Sequence, residues 1–231
     1  MNPVQALTRL DATRLPKGPP MSIAALTEVD DGPRSKRPAI LAAAVECFGE
    51  TGYEGTKWSA VAGRVGIGQT ALYHYFESKA HCLLTVMRLG LRNSDVAFHA
   101  ATADAPTALA ALRAAVGAAY ALSPQEVQQN RILVANIGLL AAARSSEREE
   151  TERLASRELV ARVERNWVEL LERGIRAGEF PDRDPVIMAR SLLGLLTGVW
   201  RWYRPDGALD LDDIATYMAG CAARMVAADE P

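Results

Sequence analysis

The segment Thr56–Lys79, TKWSAVAGRVGIGQTALYHYFESK, concentrates the residue types that could do chemistry in this chain of 231 residues. Its second half places amide, hydroxyl, phenol and imidazole groups close together, at Gln69, Thr70, Tyr73 and His74. Glutamine can pair bidentately with adenine, and a small side chain such as that of Thr70 can touch the methyl group of thymine. The segment therefore predicts hydrogen bonding to base edges in a major groove of DNA.

The same segment offers donors for the DNA backbone. The phenolic hydroxyls of Tyr73 and Tyr75 can donate to phosphates. Lys79 stands at the predicted start of a helix, where its charge and the free backbone N–H groups suit a phosphate. We expect these three side chains to hold the protein on the duplex.

Two short helices and a glycine turn would position these side chains. Thr56 is predicted to cap a helix that ends at about Arg64, and Gly66 allows a sharp turn with positive φ. A second short helix is predicted over residues 68–75, and Ser78 is predicted to cap the long helix that follows. This arrangement predicts a helix-turn-helix DNA-binding unit.

Helical periodicity continues along the chain, and no strand pattern of any length occurs. The fold class predicted is all-α, with an N-terminal three-helix helix-turn-helix unit followed by a larger helical domain. The helix that begins near residue 184 is apolar on nearly all sides from Leu192 to Trp202, so we expect this part to be buried all round. The nine predicted helices span about 35–50, 56–64, 68–75, 78–100, from 106, 124–144, 147–177, from 184, and 211–227.

The net charge of −2 is unevenly distributed along the chain. Residues 34–93 carry eight Lys and Arg against four acidic residues, a net charge of +4, whereas residues 94–231 carry fifteen against twenty, a net charge of −5. A basic part on an acidic body is expected if one end meets phosphates. We predict a mostly disordered tail at 1–33, a DNA-binding domain at 34–93 and a second helical domain at 94–231.

Other classes of function find little support in the sequence. Cys47, Cys82 and Cys221 lack metal-site spacing and are expected to be reduced thiols. The three histidines form no ligand set, and no paired carboxylates stand at catalytic spacing, so we expect no enzyme activity, metal or cofactor. Neither a membrane span nor a secretory signal is predicted, which favours the cytoplasm.

Residues 37–92 resemble the N-terminal domain of the TetR (tetracycline-repressor-like) family of transcriptional regulators. The matching pieces occur in order and include Ile40–Ala44, Phe48, Gly52-Tyr53, Thr56, Val61-Ala62, Val65-Gly66-Ile67, Leu72-Tyr73, Phe76 and Ser78-Lys79. The resemblance implies DNA contacts from Thr56, Lys57, Gln69, Thr70, Tyr73, Tyr75 and Lys79.

Two positions depart from the family's pattern. The recognition helix of the family usually begins after a Ser or Thr cap, whereas this chain has Gly68, a weaker cap. The family often has Tyr-His-Phe where this chain has His74-Tyr75-Phe76. His74 is therefore assigned to the groove by helical spacing and not by the family pattern.

The C-terminal part resembles a branch of the same family at Ala177–Phe180 and at Trp200–Gly207. Members of that branch often sense acyl-CoA thioesters, and the family's last two helices usually form a homodimer that binds a palindromic operator. The resemblance implies that residues 94–231 form a helical ligand-binding (effector-binding) and dimerisation domain. It also implies a repressor that is released from its operator by a small hydrophobic or acyl-CoA-type effector. Candidate effector contacts are one polar, one aromatic and three cationic side chains, at Asn136, Trp167, Arg131, Arg162 and Arg165.

Two alternatives stay open from the sequence. The protein could be a ligand-independent nucleoid or division factor on the same fold. The cluster of Trp200, Trp202 and Tyr203 could be ordinary packing under a turn, or it could form a pocket wall or an interface anchor.

Overall fold

The computed structural model describes residues 36–227, over which the chain is helical and contains no strand. The all-α prediction is thus confirmed for this part, while the predicted tail at 1–33 lies outside it. None of the helices in these residues is both long and apolar enough to cross a membrane. Within the same range, a 3-10 helix, Ile137–Leu140, accompanies nine α-helices: α1 Arg37–Gly55, α2 Trp58–Val65, α3 Gln69–Tyr75, α4 Lys79–Thr102, α5 Ala108–Tyr120, α6 Pro124–Asn136, α7 Glu147–Arg176, α8 Pro185–Trp202 and α9 Leu211–Met225.

Helices α1 to α3, which we call the head, share one hydrophobic cluster with the first half of α4. Phe48, Val61 and Leu72 come from the three helices of the head and are almost fully buried, as are Leu84 and Met87 of α4. The spacing of these residues places them on the inward face of each helix. The head is therefore packed onto α4, which continues beyond it.

Helices α5 to α9, which we call the body, enclose a second cluster. Leu112, Trp167 and Leu192 lie in it, and Phe98 from the second half of α4 packs against it. Because α4 has 24 residues, it spans about 36 Å and connects the two clusters.

The serines that cap α4 and α7 each cap their own helix and also hydrogen-bond to an acidic side chain at the start of the other helix. Ser78, the N-cap of α4, accepts from the His81 N–H, and its hydroxyl donates to Glu149 of α7 at 2.6 Å. Ser146, the N-cap of α7, donates to the Glu77 carboxylate beside the α4 cap. Each helix start thus binds an acidic side chain from the other, and this contact joins the head to the body.

Several helix bounds differ from the sequence predictions for local reasons. Helix α6 ends at Asn136, before the predicted Arg144, because the chain tightens into a 3-10 turn. The side chain of Thr107, which follows Pro106, accepts from the Ala110 N–H and starts α5. Helix α7 ends at Arg176, and Gly178 just after it has a φ of 71°.

The expectation that α8 is buried on all sides is wrong for the single chain. Within the segment Leu192–Trp202, Leu192 and Val199 are buried, but Trp202 is 53% exposed. In the first turn of α8, Ile187 is 64% exposed. On α9, Tyr217 is 69% exposed, whereas Ile214 and Met218 are buried. Both helices lie at the edge of the body and pack on it with one face only.

Candidate nucleic-acid interface

The turn between α2 and α3 closes through backbone hydrogen bonds around a left-handed glycine. Gly66 has φ 70° and ψ 39°, as the sequence predicts for this turn. Its N–H donates to Gly63 O at 3.2 Å, and the Ile67 N–H donates to Ala62 O at 3.0 Å. This is a Schellman motif, which ends α2 and fixes the direction in which the chain enters α3.

Helix α3 presents one polar face to solvent. Gln69, Thr70, Tyr73 and His74 are exposed and lie on one side because they are spaced i, i+1, i+4 and i+5. Leu72, on the opposite side, is fully buried in the head. The structure therefore brings together the four side chains that were predicted to face a groove, and it leaves their donors and acceptors outward.

Two of the predicted backbone contacts stand at the margins of this face. Lys57 is exposed and is the N-cap residue of α2, without a side-chain cap bond. Tyr75 is half-buried and packs against the core of the head. Its ring also lines a shallow groove with His74, His81 and Glu152, where α3 approaches the start of α7.

Thr56 does not cap α2, and its side chain is turned away from solvent. It is 5% exposed, and its hydroxyl lies 2.7 Å from Gly52 O and 3.0 Å from Cys47 O. The reason is a kink at Gly52, whose φ of 74° and ψ of 164° interrupt the helical backbone of α1. The hydroxyl of Thr56 therefore lies against carbonyl groups of α1 and is turned away from solvent.

Lys79 is likewise directed into the protein. Its Nζ lies 2.6 Å from Tyr53 O, 3.1 Å from Thr56 O and 3.3 Å from Glu54 O, and it is 4.4 Å from the centroid of the Tyr53 ring. The side chain is thus turned towards the end of α1, whereas the sequence suggested a phosphate. Sequence reasoning missed this contact because the acceptors are backbone atoms more than twenty positions away.

Part of the head's positive charge is neutralised within the protein. Arg64 binds Glu50 through two bonds of 2.9 Å each and Glu46 at 3.3 Å. The guanidinium of Arg64 lowers the pKa of the Glu50 carboxyl through these hydrogen bonds. Arg37 of α1 and Arg88 of the neighbouring α4 both approach Glu152 of the body. The net charge of +4 counted for residues 34–93 therefore overstates the positive charge that is available to phosphates.

The candidate effector contacts lie on two separate helices. Trp167 of α7 is buried and packs edge-on against Phe98 of α4 at 5.2 Å between ring centroids. Arg162 approaches Asp95 of α4 at 3.6 Å. Arg131 and Asn136 lie on α6, where Asn136 donates to Ile132 O. Arg165 pairs with Glu158 at the surface.

One buried polar group was missed by the sequence analysis. Neither the amide nitrogen nor the amide oxygen of Asn93 has a hydrogen-bond partner within residues 36–227, although both are buried. Buried side-chain amides nearly always have a partner, so an unpaired one is a candidate ligand contact. Helical spacing did not predict that Asn93 is buried, because α4 carries polar residues on several sides.

The thiols and acids of the described chain offer no further site. Cys47 and Cys82 are buried free thiols and Cys221 is partly exposed. Burial raises the pKa of the Cys82 thiol, which disfavours the reactive thiolate. Among residues 36–227, no group of three His, Cys, Asp or Glu side chains is placed to hold a metal ion.

Comparisons with known proteins agree with this geometry. Residues 40–86 match the family described as bacterial regulatory proteins, tetR family, and residues 107–226 match the tetracyclin repressor-like C-terminal domain. The HTH-type transcriptional repressor KstR2 of Rhodococcus jostii (strain RHA1) is 28% identical over 192 residues, which cover 80% of this chain and 87% of that protein.

Two solved structures share the fold. The TetR-family regulator PfmR of Thermus thermophilus has a TM-score of 0.70 and 28% identity, and the match covers 80% of this chain and 97% of PfmR. AibR, solved with isovaleryl coenzyme A and operator DNA, has a TM-score of 0.67 and 24% identity, over 81% and 97% of the two chains. The two family matches cover most of residues 40–226, and the chain belongs to the TetR family of bacterial transcriptional regulators.

Proposed function

We propose that this TetR-family regulator represses transcription by binding a palindromic operator as a homodimer, and that a small hydrophobic or acyl-CoA-type effector releases it. The observation that carries the proposal is the outward polar face of α3, mounted on a long helix that continues into an apolar body. Such a protein acts on the chromosome, so we place it in the cytoplasm, with a binding rather than a catalytic role.

Base contacts in this proposal come from α3. Gln69, Thr70, Tyr73 and His74 enter the major groove, whose width of about 12 Å admits a helix. Lys57 and the hydroxyl of Tyr75 contact the sugar–phosphate backbone at the edges of this face. Thr56 and Lys79 are left out of the contact set, because their donors are engaged within the head.

The proposed dimer uses the faces of α8 and α9 that the single chain leaves exposed. Ile187, Trp202 and Tyr217 are large apolar or aromatic side chains directed outward. Gly194 and Gly198 lie one turn apart on α8, and a Cβ at either would meet nothing within 4 Å, so a partner helix can approach closely. A two-fold dimer presents two α3 helices to half-sites about 34 Å apart.

The proposed effector binds in the body near α4. AibR was solved with an acyl-CoA, and that likeness supports the class of ligand to be tested. In this chain, Asn93 supplies an unpaired amide that could bind a carbonyl or hydroxyl, and Trp167 with Phe98 supplies an apolar wall. Arg131, Asn136 and Arg162 are the proposed contacts for the polar part of the ligand, where Arg162 would leave Asp95.

The test begins by selecting duplexes from a randomised pool with the full-length protein. A selected palindrome that binds in a salt-sensitive manner supports the DNA-binding part, and a pool that does not converge contradicts it. Thermal-shift and anisotropy measurements with short-chain, long-chain and sterol-derived acyl-CoAs then test release, with free coenzyme A and free acids as controls. If no thioester stabilises the protein or weakens operator binding, the ligand-independent alternative is favoured.

A further inference from the structure

We infer that Lys79 is a positioning residue for DNA binding, which fixes the junction of α1 and α2 and so the placement of α3, and that it is not a phosphate contact. The inference rests on the proposed DNA-binding function and goes beyond it. It assigns to this lysine a role opposite to the one its sequence position suggests.

The hydrogen bonds of Lys79 account for every donor that it has. An ammonium group carries three N–H donors and no acceptor. The three oxygens within 3.3 Å of Nζ are the carbonyls of Tyr53, Glu54 and Thr56. All three donors therefore have partners inside the head, and none is left to donate to a phosphate.

The site around the ammonium suits a cation for two further reasons. The carbonyls at the end of a helix lack helical partners, and the negative end of the helix dipole favours a positive charge there. The ring of Tyr53 lies under the ammonium at 4.4 Å, a distance typical of a cation–π contact. Lys79 thus acts as a C-terminal cap for α1, supplied from the first residue of α4.

The position of this cap explains why it would affect DNA binding. The capped carbonyls belong to residues 53–56, the segment between the Gly52 kink and the start of α2. Lys57 follows immediately as the N-cap of α2, and α2 ends in the turn that fixes α3. If the ammonium were absent, this segment would have to find other donors, and α2 with α3 could adopt more than one orientation on α1.

The chain provides a matched control. Lys57 is also a lysine of the head, but its side chain is exposed, and it stands at the N-terminal end of α2. The two lysines carry the same charge and differ in what surrounds their ammonium groups. A phosphate contact and a positioning residue should therefore give different responses to the same substitution.

The experiment uses the full-length dimer and a duplex selected by the wild-type protein. Affinities of K57M and K79M are measured on this duplex and on a scrambled one, over a series of salt concentrations, at a temperature where circular dichroism shows full folding. K57M should weaken both duplexes and reduce the slope of log K against log salt by about 1.8 per dimer, since each phosphate contact contributes about 0.9.

K79M should behave differently. If the competent orientation falls to about one tenth of the population, operator affinity falls about tenfold, because apparent affinity scales with that fraction. The salt slope should stay that of the wild type, and affinity for the scrambled duplex should change by less than about twofold. K79R should resemble K79M, since a planar guanidinium cannot reproduce the three-carbonyl site although it keeps the charge.

Several outcomes would overturn the inference. A reduced slope in K79M with equal losses on both duplexes, rescued by K79R, would identify a phosphate contact. Wild-type affinity for the operator in K79M would show that the cap has no bearing on DNA binding. K79R retains the charge and serves as the second variant if K79M does not fold. A wild-type protein without any preferred duplex would instead refute the proposed function itself, and the inference with it.

Discussion

Replacement of Ser78 by alanine should test how strongly the head is joined to the body. Ser78 caps α4 by accepting from the His81 N–H, and its hydroxyl donates to Glu149 of α7 at 2.6 Å. Loss of an N-cap costs about 1 kcal/mol, and loss of a hydrogen bond to a carboxylate costs about 1.5 kcal/mol more. We expect S78A to lower the free energy of unfolding by about 2.5 kcal/mol.

A local capping box in the body provides the control. Ser123 accepts from the Glu126 N–H and also donates to the Glu126 carboxylate, so both of its bonds stay within the start of α6. S123A therefore removes the same two kinds of hydrogen bond as S78A, but it breaks no contact between different helices. Denaturant unfolding should be followed by circular dichroism at one fixed protein concentration, because a dimer's stability depends on concentration.

The cross-helix contribution is isolated by a double-mutant cycle of S78A with E149Q. Residues that share a hydrogen bond are coupled, and we expect a coupling free energy of about 1 kcal/mol. A coupling near zero, with S78A no worse than S123A, would refute the argument that exchanged caps hold the head on α7. The head would then be held on the body mainly by the apolar cluster that it shares with α4, α6 and α7, in which Ile132 and Leu159 lie.

Three further variants test single features of the structure. Y73A should weaken operator binding by about tenfold or more without changing the melting temperature, because Tyr73 is 46% exposed; a large loss of stability would contradict this. G66A should destabilise the protein by about 1–2 kcal/mol, since the residue must keep a φ of 70°. Burial lowers the pKa of His81 in the folded state, so the unfolded chain binds the proton first. Stability should therefore fall as the pH drops below about 6.5, and H81Q should reduce that slope in pH-dependent unfolding.

The sequence predicted the parts of the site that depend on neighbouring residues. The end of α2, the bounds of α3, the positive φ of Gly66 and the outward face of α3 follow from helical spacing and from the conformational freedom of glycine. These features are set within a few residues of each other, so a local pattern is sufficient to predict them.

The contacts that the sequence did not indicate depend on chain geometry that helical spacing does not encode. Thr56 was assigned to the start of α2, but after the kink at Gly52 its hydroxyl lies against the carbonyls of Gly52 and Cys47. Lys79 meets carbonyls that only the folded head brings near it. For α8, an apolar pattern cannot distinguish burial within one chain from burial against a second copy, and Ile187 is exposed in the single chain.

The internal pairing of charges in the head has a consequence for DNA binding that can be measured. Arg64 contributes to the positive count of residues 34–93, but it is bound to Glu50 and Glu46. The double substitution R64M/E50Q removes this pair without changing the net charge, so the salt slope of operator binding should stay within experimental error of the wild type. A phosphate contact from Arg64 would instead make the double variant lose about 1.8 per dimer from the slope, as K57M should. That result would show that Arg64 leaves its acidic partners on DNA, and the face that meets the phosphates would then extend beyond α3 to the end of α2.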